Sequence, residues 1–380
     1  MISRGVNVCR LNFSHLSHEK AKEIISNIKE INQELHVHTA ILADLQGPKI
    51  RVGSLENPIK LLKGKEISFS TNKKNKKAIF LNYSSLAKDV KKGDRILLDD
   101  GKITLKVLST NNKDTINTNV VFGGLLHSKK GVNLPDTNIT LPSISRKDKK
   151  DLAFILNEKI EWIGLSFVRS AEDIIKLKKA IKKSKSSNAL VIAKIEKPEA
   201  IKNIDAIIKA TDAVMVARGD LGVEIPTQKV PVLQKKIVRA ARRKAKPVII
   251  ATQVMESMTT NLSPTRAETN DAANAVFDGA DALMLSGETS IGKYPIRVVR
   301  TISKIILDVE ASDEKKYFNK ILPFKSNQRY ISDSICYQAS EIANQVEARA
   351  ILAFTASGYN TQKISSNRPN AHICVFTHNR

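Results

Sequence analysis

Short apolar runs alternate with longer segments of helical spacing between residues 161 and 289. Polar or glycine-containing turns separate each run from the stretch that follows. Such β/α alternation predicts a parallel sheet covered by helices on both faces. The predicted strands are residues 162–167, 190–195, 213–217, 247–252 and 282–286. The predicted helices are residues 171–183, 198–209, 230–244 and 264–278, the last capped by Ser263 and ended by Gly279.

Two earlier predicted strands, residues 6–11 and 39–44, flank a helical stretch at 19–32 and extend the pattern. The total is one strand fewer than a closed barrel of eight requires. Residues 1–5 resemble the end of a helix. We therefore expect an α/β fold, a TIM-type (β/α)8 barrel lacking its first strand. An open, doubly wound sheet is the alternative.

The pattern changes between residues 51 and 141, where short alternating runs are separated by glycine-containing turns. This predicts a β-rich insertion, and an insertion at the C-terminal rim of a barrel can act as a lid.

A new β/α start, with strands at 350–354 and 372–376, predicts a partial C-terminal α/β domain. The expected domains are 1–52 (barrel, first part), 53–138 (lid), 139–312 (barrel, second part) and 313–380 (partial C-terminal domain).

Composition narrows the function classes. The 380 residues include 62 Lys and Arg against 38 Asp and Glu, a net charge of +24. The lysines are scattered and no basic stripe is interleaved with aromatic residues, which argues against a nucleic-acid partner and favours small anions. The three cysteines lie far apart, which argues against a disulfide framework. No membrane-spanning run or signal segment is evident, so we expect a cytoplasmic protein without a membrane partner.

Residues able to bind phosphate and metal follow strand after strand. In a parallel barrel the side chains beyond the C-terminal strand ends gather at one rim. Carboxylates there can hold a hard cation, cationic side chains can neutralise phosphoryl oxygens, and hydroxyls can relay a proton. The residues are Arg10, Asn12, Ser14, Asp44, Lys49, Arg51, Lys194, Glu196, Arg218, Asp220, Thr252, Ser286 and Glu288.

Each of these residues alone has a structural explanation. Lys194 and Glu196 alternate on one strand and could form a structural ion pair. Asp220 could be a turn or capping residue. Recurrence at one rim favours the functional interpretation. No glycine-rich nucleotide-binding motif is present, so phosphate binding must depend on Arg, Lys and a divalent ion.

The sequence resembles the pyruvate kinase family along its whole length, in the family's order. The matching stretches are NVCRLNFSH (7–15), GPKIR (47–51), LDDG (98–101), KKGVNLP (129–135), AKIE (193–196), MVARGDLG (215–222), ATQ (251–253) and LMLSGET (283–289). The resemblance implies phosphoryl transfer from phosphoenolpyruvate to ADP, giving pyruvate and ATP, the final step of glycolysis. It also implies a barrel, a lid domain, a C-terminal α/β domain and a homotetramer.

The resemblance implies roles for individual residues. Glu196 and Asp220 are expected to ligate Mg²⁺ (or Mn²⁺). Lys194 and Arg10 are expected to act on the moving phosphoryl group. The backbone N–H groups of Gly219 and Asp220 are expected to bind the substrate carboxylate. Thr252 and Ser286 are expected to deliver the proton, and Thr252 is also expected to contact the substrate. Arg51 and Lys130 are expected to bind the nucleotide.

Lys49 departs from the commoner form of the family, which has glutamate at this position. That form needs K⁺, bound by groups matching Asn12, Ser14, Asp44 and the Leu45 carbonyl. With Lys49, the sequence resembles the potassium-independent branch. A fixed ammonium can supply the charge that the ion otherwise brings, so we expect no K⁺ requirement.

Relatives in the family begin with a further strand and end with a longer C-terminal domain. The sequence therefore resembles a chain truncated at both ends, and its activity on its own is an open question. Two other functions remain as alternatives. Residues 194–200 resemble the metal-binding strand of citrate-lyase-like carbon–carbon lyases, and the charge leaves room for an inactive regulatory or RNA-binding relative.

Overall fold

The structure is a computed structural model that describes residues 1–184, 186–312, 322–323 and 328–378. The chain divides into two compact units. The first unit comprises Val8–Ile204 and Ala217–Val230, and the second unit comprises Met1–Asn7, Asp205–Val216 and Pro231–Arg380.

Seventeen strands are present in the described residues. They are β1 Val8–Asn12, β2 Ala40–Asp44, β3 Ile59–Leu61, β4 Glu66–Ser70, β5 Ile79–Phe80, β6 Arg95–Leu98, β7 Ile103–Thr110, β8 Thr115–Phe122, β9 Gly124–Leu126, β10 Val132–Asn133, β11 Trp162–Leu165, β12 Leu190–Ile195, β13 Ala213–Ala217, β14 Val248–Ala251, β15 Ala282–Met284, β16 Ala350–Phe354 and β17 His372–Phe376.

The α-helices alternate with the parallel strands. They are α1 His18–Glu34, α2 Leu86–Asp89, α3 Arg146–Asn157, α4 Ala171–Ser184, α5 Pro198–Lys202, α6 Ile204–Ala210, α7 Arg218–Glu224, α8 Val230–Arg243, α9 Arg266–Asp278, α10 Gly287–Ser290, α11 Pro295–Ala311, α12 Tyr330–Gln345 and α13 Tyr359–Asn367. Three short 3-10 helices, Ile2–Arg4, Thr227–Lys229 and Glu256–Thr259, complete the described set.

In the first unit the parallel strands lie in the order β1-β2-β11-β12. Their register aligns the strand ends, because Asn12 pairs with Asp44 and Gly164 also pairs with Asp44. Gly164 leaves room for the neighbouring side chain, since a Cβ there would lie 3.3 Å from Asp44 Oδ1. The carboxyl ends of these strands therefore meet at one edge, as the β/α pattern predicts.

The β-rich part of the first unit has its own core. One sheet has the order β10-β6-β7-β8-β4-β5, and a second pairs β3 with β9. Phe69, Tyr83 and Leu105, all fully buried, lie in a core shared by these strands. The predicted β-rich insertion between residues 51 and 141 is confirmed.

The second unit contains the parallel strands β13 (all but its last residue), β14 and β15, in that order. A separate parallel pair, β16 and β17, packs Ala353 against Cys336 of α12 and Ile364 of α13. This pair and its helices are the β/α start predicted near the C-terminus.

Two predicted helices differ from the structure. The stretch 198–209 is broken at Asn203 into α5 and α6, and the Asn203 amide donates to the Arg169 carbonyl at 2.9 Å. The predicted start at Pro264 with a Ser263 cap is wrong. Thr265 caps α9 instead, because Glu268 three residues later completes a reciprocal capping box. The predicted end at Gly279, with φ 94°, is confirmed.

Several strands are shorter than predicted. Residues 166–167, 252 and 285–286 lie beyond the ends of β11, β14 and β15. Phe167 and Thr252 have φ of 55° and 70°, a backbone conformation that ends a strand. None of the helices in the described ranges is long and apolar enough to cross a membrane.

Candidate active site

Asp44, at the end of β2, binds the cationic side chain of the neighbouring strand. Arg10 of β1 places Nε 2.7 Å and Nη2 2.6 Å from Asp44 Oδ2. The Asp44 side chain is only 2% exposed, whereas Arg10 is 25% exposed. The guanidinium is thus fixed at the strand edge with part of its surface open to solvent.

Lys194, near the end of β12, is bound by three adjacent strand ends. Its Nζ lies 3.1 Å from Asp44 Oδ1, 3.0 Å from Glu196 Oε1 and 2.8 Å from Ser166 Oγ. An ammonium has three N–H donors, and these three partners can engage all of them. The arrangement fixes the direction of a normally flexible side chain.

The charges of this cluster determine its protonation. Burial disfavours the charged form of Lys194, but the carboxylates of Asp44 and Glu196 outweigh burial and raise its pKa above the usual range. Burial also disfavours the ionised form of Asp44, but Lys194 and Arg10 outweigh it and lower the pKa of that carboxyl. Both groups are therefore charged at neutral pH.

Glu196 and Asp220 form the candidate metal site. Glu196 Oε2 accepts a 2.9 Å hydrogen bond from the Phe167 backbone N–H. Burial, followed by the negative charge of Glu196, raises the pKa of Asp220 to about 6, while Lys194 and Lys49 oppose the rise. Two carboxylates close enough to repel each other are a site that a cation would stabilise.

The chemistry of this donor set fits a hard divalent ion. Oxygen ligands suit Mg²⁺, which commonly takes one or two carboxylates and completes its coordination with water and substrate oxygens. Over the described ranges no group of three or more His, Cys, Asp or Glu side chains could hold a metal. Two protein carboxylates leave the remaining coordination positions of such an ion to water and substrate oxygens.

Gly219 and Asp220, the predicted carboxylate-binding pair, lie in the first turn of α7, which begins directly after β13 ends at Ala217. This places Asp220 and its backbone at the strand end. The residues expected to bind the substrate carboxylate thus lie at the junction between β13 and α7.

Three of the four residues predicted for a monovalent cation, Asn12, Asp44 and Leu45, accept hydrogen bonds from protein donors. The Ser166 hydroxyl donates to the Leu45 carbonyl at 2.6 Å, while Arg10 and Lys194 engage Asp44. The Asn12 side-chain oxygen accepts from the Ser14 backbone N–H at 3.1 Å. Lys49 is half-buried, and its charge acts on Asp220.

Arg51 and Lys130, the predicted nucleotide contacts, are bound within the β-rich part. Arg51 Nη1 donates to the Lys129 carbonyl at 2.9 Å. Lys130 Nζ lies 2.8 Å from Asp99 Oδ1, and 38% of its side chain is exposed. Asp99 itself has φ 52°, in the left-handed region.

Thr252 and Ser286, the predicted proton-delivery residues, belong to the second unit. Thr252 has φ 70°, which is unusual for a β-branched residue and indicates backbone strain. Buried Glu288 accepts from the Ser286 backbone N–H at 2.6 Å and from the Met255 backbone N–H at 3.1 Å. One carboxylate thus braces the loops that carry both hydroxyls.

Sequence reasoning missed two supports of the cluster. Ser166 follows β11 at the same edge of the sheet as the predicted site residues. Its position directly after a predicted strand was the one sequence feature that could have indicated a role in the site. Asp148 of α3 accepts from the Gly47 backbone N–H at 3.2 Å. At Gly47, with φ 69°, a Cβ would lie 2.8 Å from Phe167 Cδ2. No local sequence pattern predicts the long-range contact between Asp148 and Gly47.

Comparison with known proteins gives two family matches. Residues 1–299 match the model for the pyruvate kinase barrel domain, and residues 333–380 match the model for the pyruvate kinase alpha/beta domain. The expected barrel with a C-terminal α/β domain is thereby confirmed.

Individual relatives are similar over nearly the whole chain. Pyruvate kinase of Corynebacterium glutamicum is 43% identical over 100% of this chain and 79% of its own length. That of Mycobacterium tuberculosis is 42% identical over 99% of this chain and 79% of its own length. That of Geobacillus stearothermophilus is 42% identical over 100% of this chain and 65% of its own length.

Proposed function

The chain belongs to the pyruvate kinase family, and we propose that the cluster around Lys194 carries out its reaction. The reaction transfers a phosphoryl group from phosphoenolpyruvate to ADP, giving pyruvate and ATP, the final step of glycolysis. One observation carries the proposal: a buried ammonium at a strand end lies within 3.1 Å of both Asp44 and Glu196.

Lys194 acts on the group in transfer. The transition state of phosphoryl transfer is loose, and its charge is spread over the equatorial oxygens. An incoming phosphoryl oxygen replaces one of the three partners of Lys194, and the ammonium keeps its proton because its pKa is raised. Arg10, fixed through Asp44 and partly exposed, clamps the same group.

The family requires a divalent cation, and we assign its protein ligands to Glu196 and Asp220. A bound Mg²⁺ (or Mn²⁺) would supply positive charge beside the phosphoryl and enolate oxygens. Glu196 is held in place by Lys194 and the Phe167 N–H. The backbone N–H groups of Gly219 and Asp220 hold the substrate carboxylate.

Two residues of the β-rich part, residues 51–141, bind the nucleotide. Lys130 exchanges its Asp99 partner for the nucleotide phosphates, and Arg51 contacts them as well. Both side chains contact only other residues of the β-rich part in the contacts described above, so they can move with it.

Transfer leaves an enolate that must take a proton at carbon. Lys194 stabilises the enolate oxygen until protonation. Thr252 and Ser286 orient a water that relays the proton, because a hydroxyl is a poor general acid at neutral pH.

Lys49 replaces the monovalent cation. Its charge already acts on Asp220, and the Asp44 and Leu45 oxygens that would bind K⁺ accept hydrogen bonds from Arg10, Lys194 and Ser166. A K⁺ ion would have to share these oxygens with the protein donors. We propose in addition that the enzyme works in the cytoplasm as a homotetramer.

The function is tested by incubating the purified chain with phosphoenolpyruvate, ADP and Mg²⁺ and measuring pyruvate and ATP separately. Formation of both in equal amounts is expected. No turnover by folded protein would overturn the proposal and favour an inactive relative. The lyase alternative is tested in a parallel incubation with a citrate-type substrate and Mg²⁺, where carbon–carbon cleavage would favour it.

A further inference from the structure

Glu224, the last residue of α7, is a buried carboxylate with two protein donors on one oxygen. Its side chain is 1% exposed. Oε1 accepts from Lys197 Nζ at 2.7 Å and from Asn133 Nδ2 at 2.9 Å. Oε2 is also buried and has no hydrogen-bond partner within the ranges that the structure describes.

These three residues belong to three segments with assigned roles. Lys197 directly follows Glu196, and Glu224 lies one helical turn after Asp220. Asn133 lies three residues after Lys130 and pairs with Leu97 in the sheet of the β-rich part. A single carboxylate oxygen therefore joins the backbones that carry both metal ligands to the segment that carries a nucleotide-binding lysine.

The arrangement is costly for stability alone. A buried carboxylate loses hydration, and an oxygen without a donor recovers none of that loss. An ion pair of this kind is weak evidence for stabilisation, because apolar side chains of similar size often stabilise a core as well or better. Glu224 Oε2 is, however, a second acceptor to which a nearby hydrogen-bond donor can move.

We propose that Glu224 is a positioning residue that couples the lid to the metal ligands Glu196 and Asp220. When the β-rich part moves, Asn133 passes from Oε1 to Oε2, so that the lid stays bonded to α7 in both positions. Lys197 remains on Oε1 and keeps the end of β12 aligned with α7. This inference rests on the proposed function, since it concerns the same two carboxylates.

The coupling has a thermodynamic signature. If nucleotide binding moves the lid and the lid acts on the metal-bound substrate site, ADP and phosphoenolpyruvate must change each other's affinity by the same factor. Coupling factors are typically about 5 to 150. A residue that only stabilises the fold has no reason to alter that factor.

The test is equilibrium binding of an unreactive phosphoenolpyruvate analogue with and without ADP at a fixed free Mg²⁺ concentration, which gives the coupling factor, together with initial rates in both true substrates, which give kcat. We expect Asn133→Ala to reduce the coupling factor towards one and to lower kcat, with less than about a twofold change in the affinity for phosphoenolpyruvate without ADP. Glu224→Gln, which keeps the shape but replaces one acceptor by a donor, should also reduce the factor. Asn117→Ala, an equivalent change on β8, is the control and should leave it unchanged.

The outcomes separate this inference from the proposed function. Urea midpoints within error of the wild type establish that Asn133→Ala is folded. A wild type that turns over but shows no coupling, or an Asn133→Ala variant with unchanged coupling, contradicts the role of Glu224 and leaves the function intact. A folded wild type without turnover contradicts the function itself.

Discussion

The ammonium of Lys194 lies 3.0 Å from a carboxylate oxygen of Glu196, two residues further along the chain. Alternate residues of a strand point to the same face, so both side chains reach the same edge of the sheet. The ion pair restricts the motion of both side chains. It involves only Oε1 of Glu196, and Oε2 accepts its hydrogen bond from the Phe167 backbone N–H. A phosphoryl-binding lysine and a metal ligand thus support each other.

Replacement of Glu196 by Gln should weaken the metal site more than the fold. Lys194 keeps Asp44 and Ser166 as partners, while the site loses one of its two negative charges. The Mg²⁺ concentration for half-maximal activity should rise by at least about tenfold. Glu56→Gln, an exposed change in the same unit, should leave it unchanged. An equal Mg²⁺ requirement in both variants would remove Glu196 from the metal site.

Activity should persist without potassium. With all monovalent salt supplied as tetramethylammonium, wild-type kcat/KM should stay within about twofold of its value in KCl, because Lys49 supplies the charge. A many-fold loss that KCl restores would contradict this expectation. Lys49→Gln should lower kcat/KM by about tenfold or more under both salts.

Lys130 should affect the nucleotide and spare the other substrate. Lys130→Met removes a cation that reaches the ADP phosphates, so the KM for ADP should rise by about tenfold while the KM for phosphoenolpyruvate changes little. Lys102→Met is the matched control, because Lys102 is more exposed and lies 3.6 Å from the same Asp99. Equal effects of the two variants would indicate a general charge effect.

Asp44→Asn should destabilise the protein in a pH-dependent way. The Asp44 pKa is lowered because Lys194 and Arg10 outweigh the effect of burial, so its stabilisation is present above the unfolded pKa of about 3.9 and is lost as pH falls. At pH 7 the loss should be about 3–5 kcal/mol, since the buried Lys194 and the partly exposed Arg10 both lose a charged partner. Measured from pH 7 to 3, the urea midpoints of wild type and variant should begin to approach each other only below about pH 4, because folded Asp44 is protonated only at its lowered pKa. A constant difference would mean that the carboxylate charge is not the cause.

Local patterns predicted the elements that local physics determines. Strand β12 is found at the predicted residues 190–195, because a β-branched run between polar turns forms a strand wherever it is buried. The cap of α9 was predicted wrongly at Ser263, although Thr265 and Glu268, which form the observed cap, also have the local spacing of a capping box.

Long-range contacts lay beyond the sequence. The break at Asn203 depends on the Arg169 carbonyl, and Gly47 is held by Asp148 from a helix about a hundred residues away. The sequence singled out Arg10, Asp44 and Lys194 through their positions at strand ends, but not their mutual ion pairs. Those pairs follow from strand register, which no single segment encodes.

The most direct test of the account is Lys194→Met, with kcat and Mn²⁺ affinity measured on the same preparation. Loss of a fixed cation facing the developing charge should lower kcat by about 10² to 10³. Mn²⁺ binding should persist or tighten, because Glu196 loses a competing partner. A kcat within tenfold of the wild type, or an activity loss that merely follows lost Mn²⁺ binding, would contradict the assignment of phosphoryl transfer to Lys194.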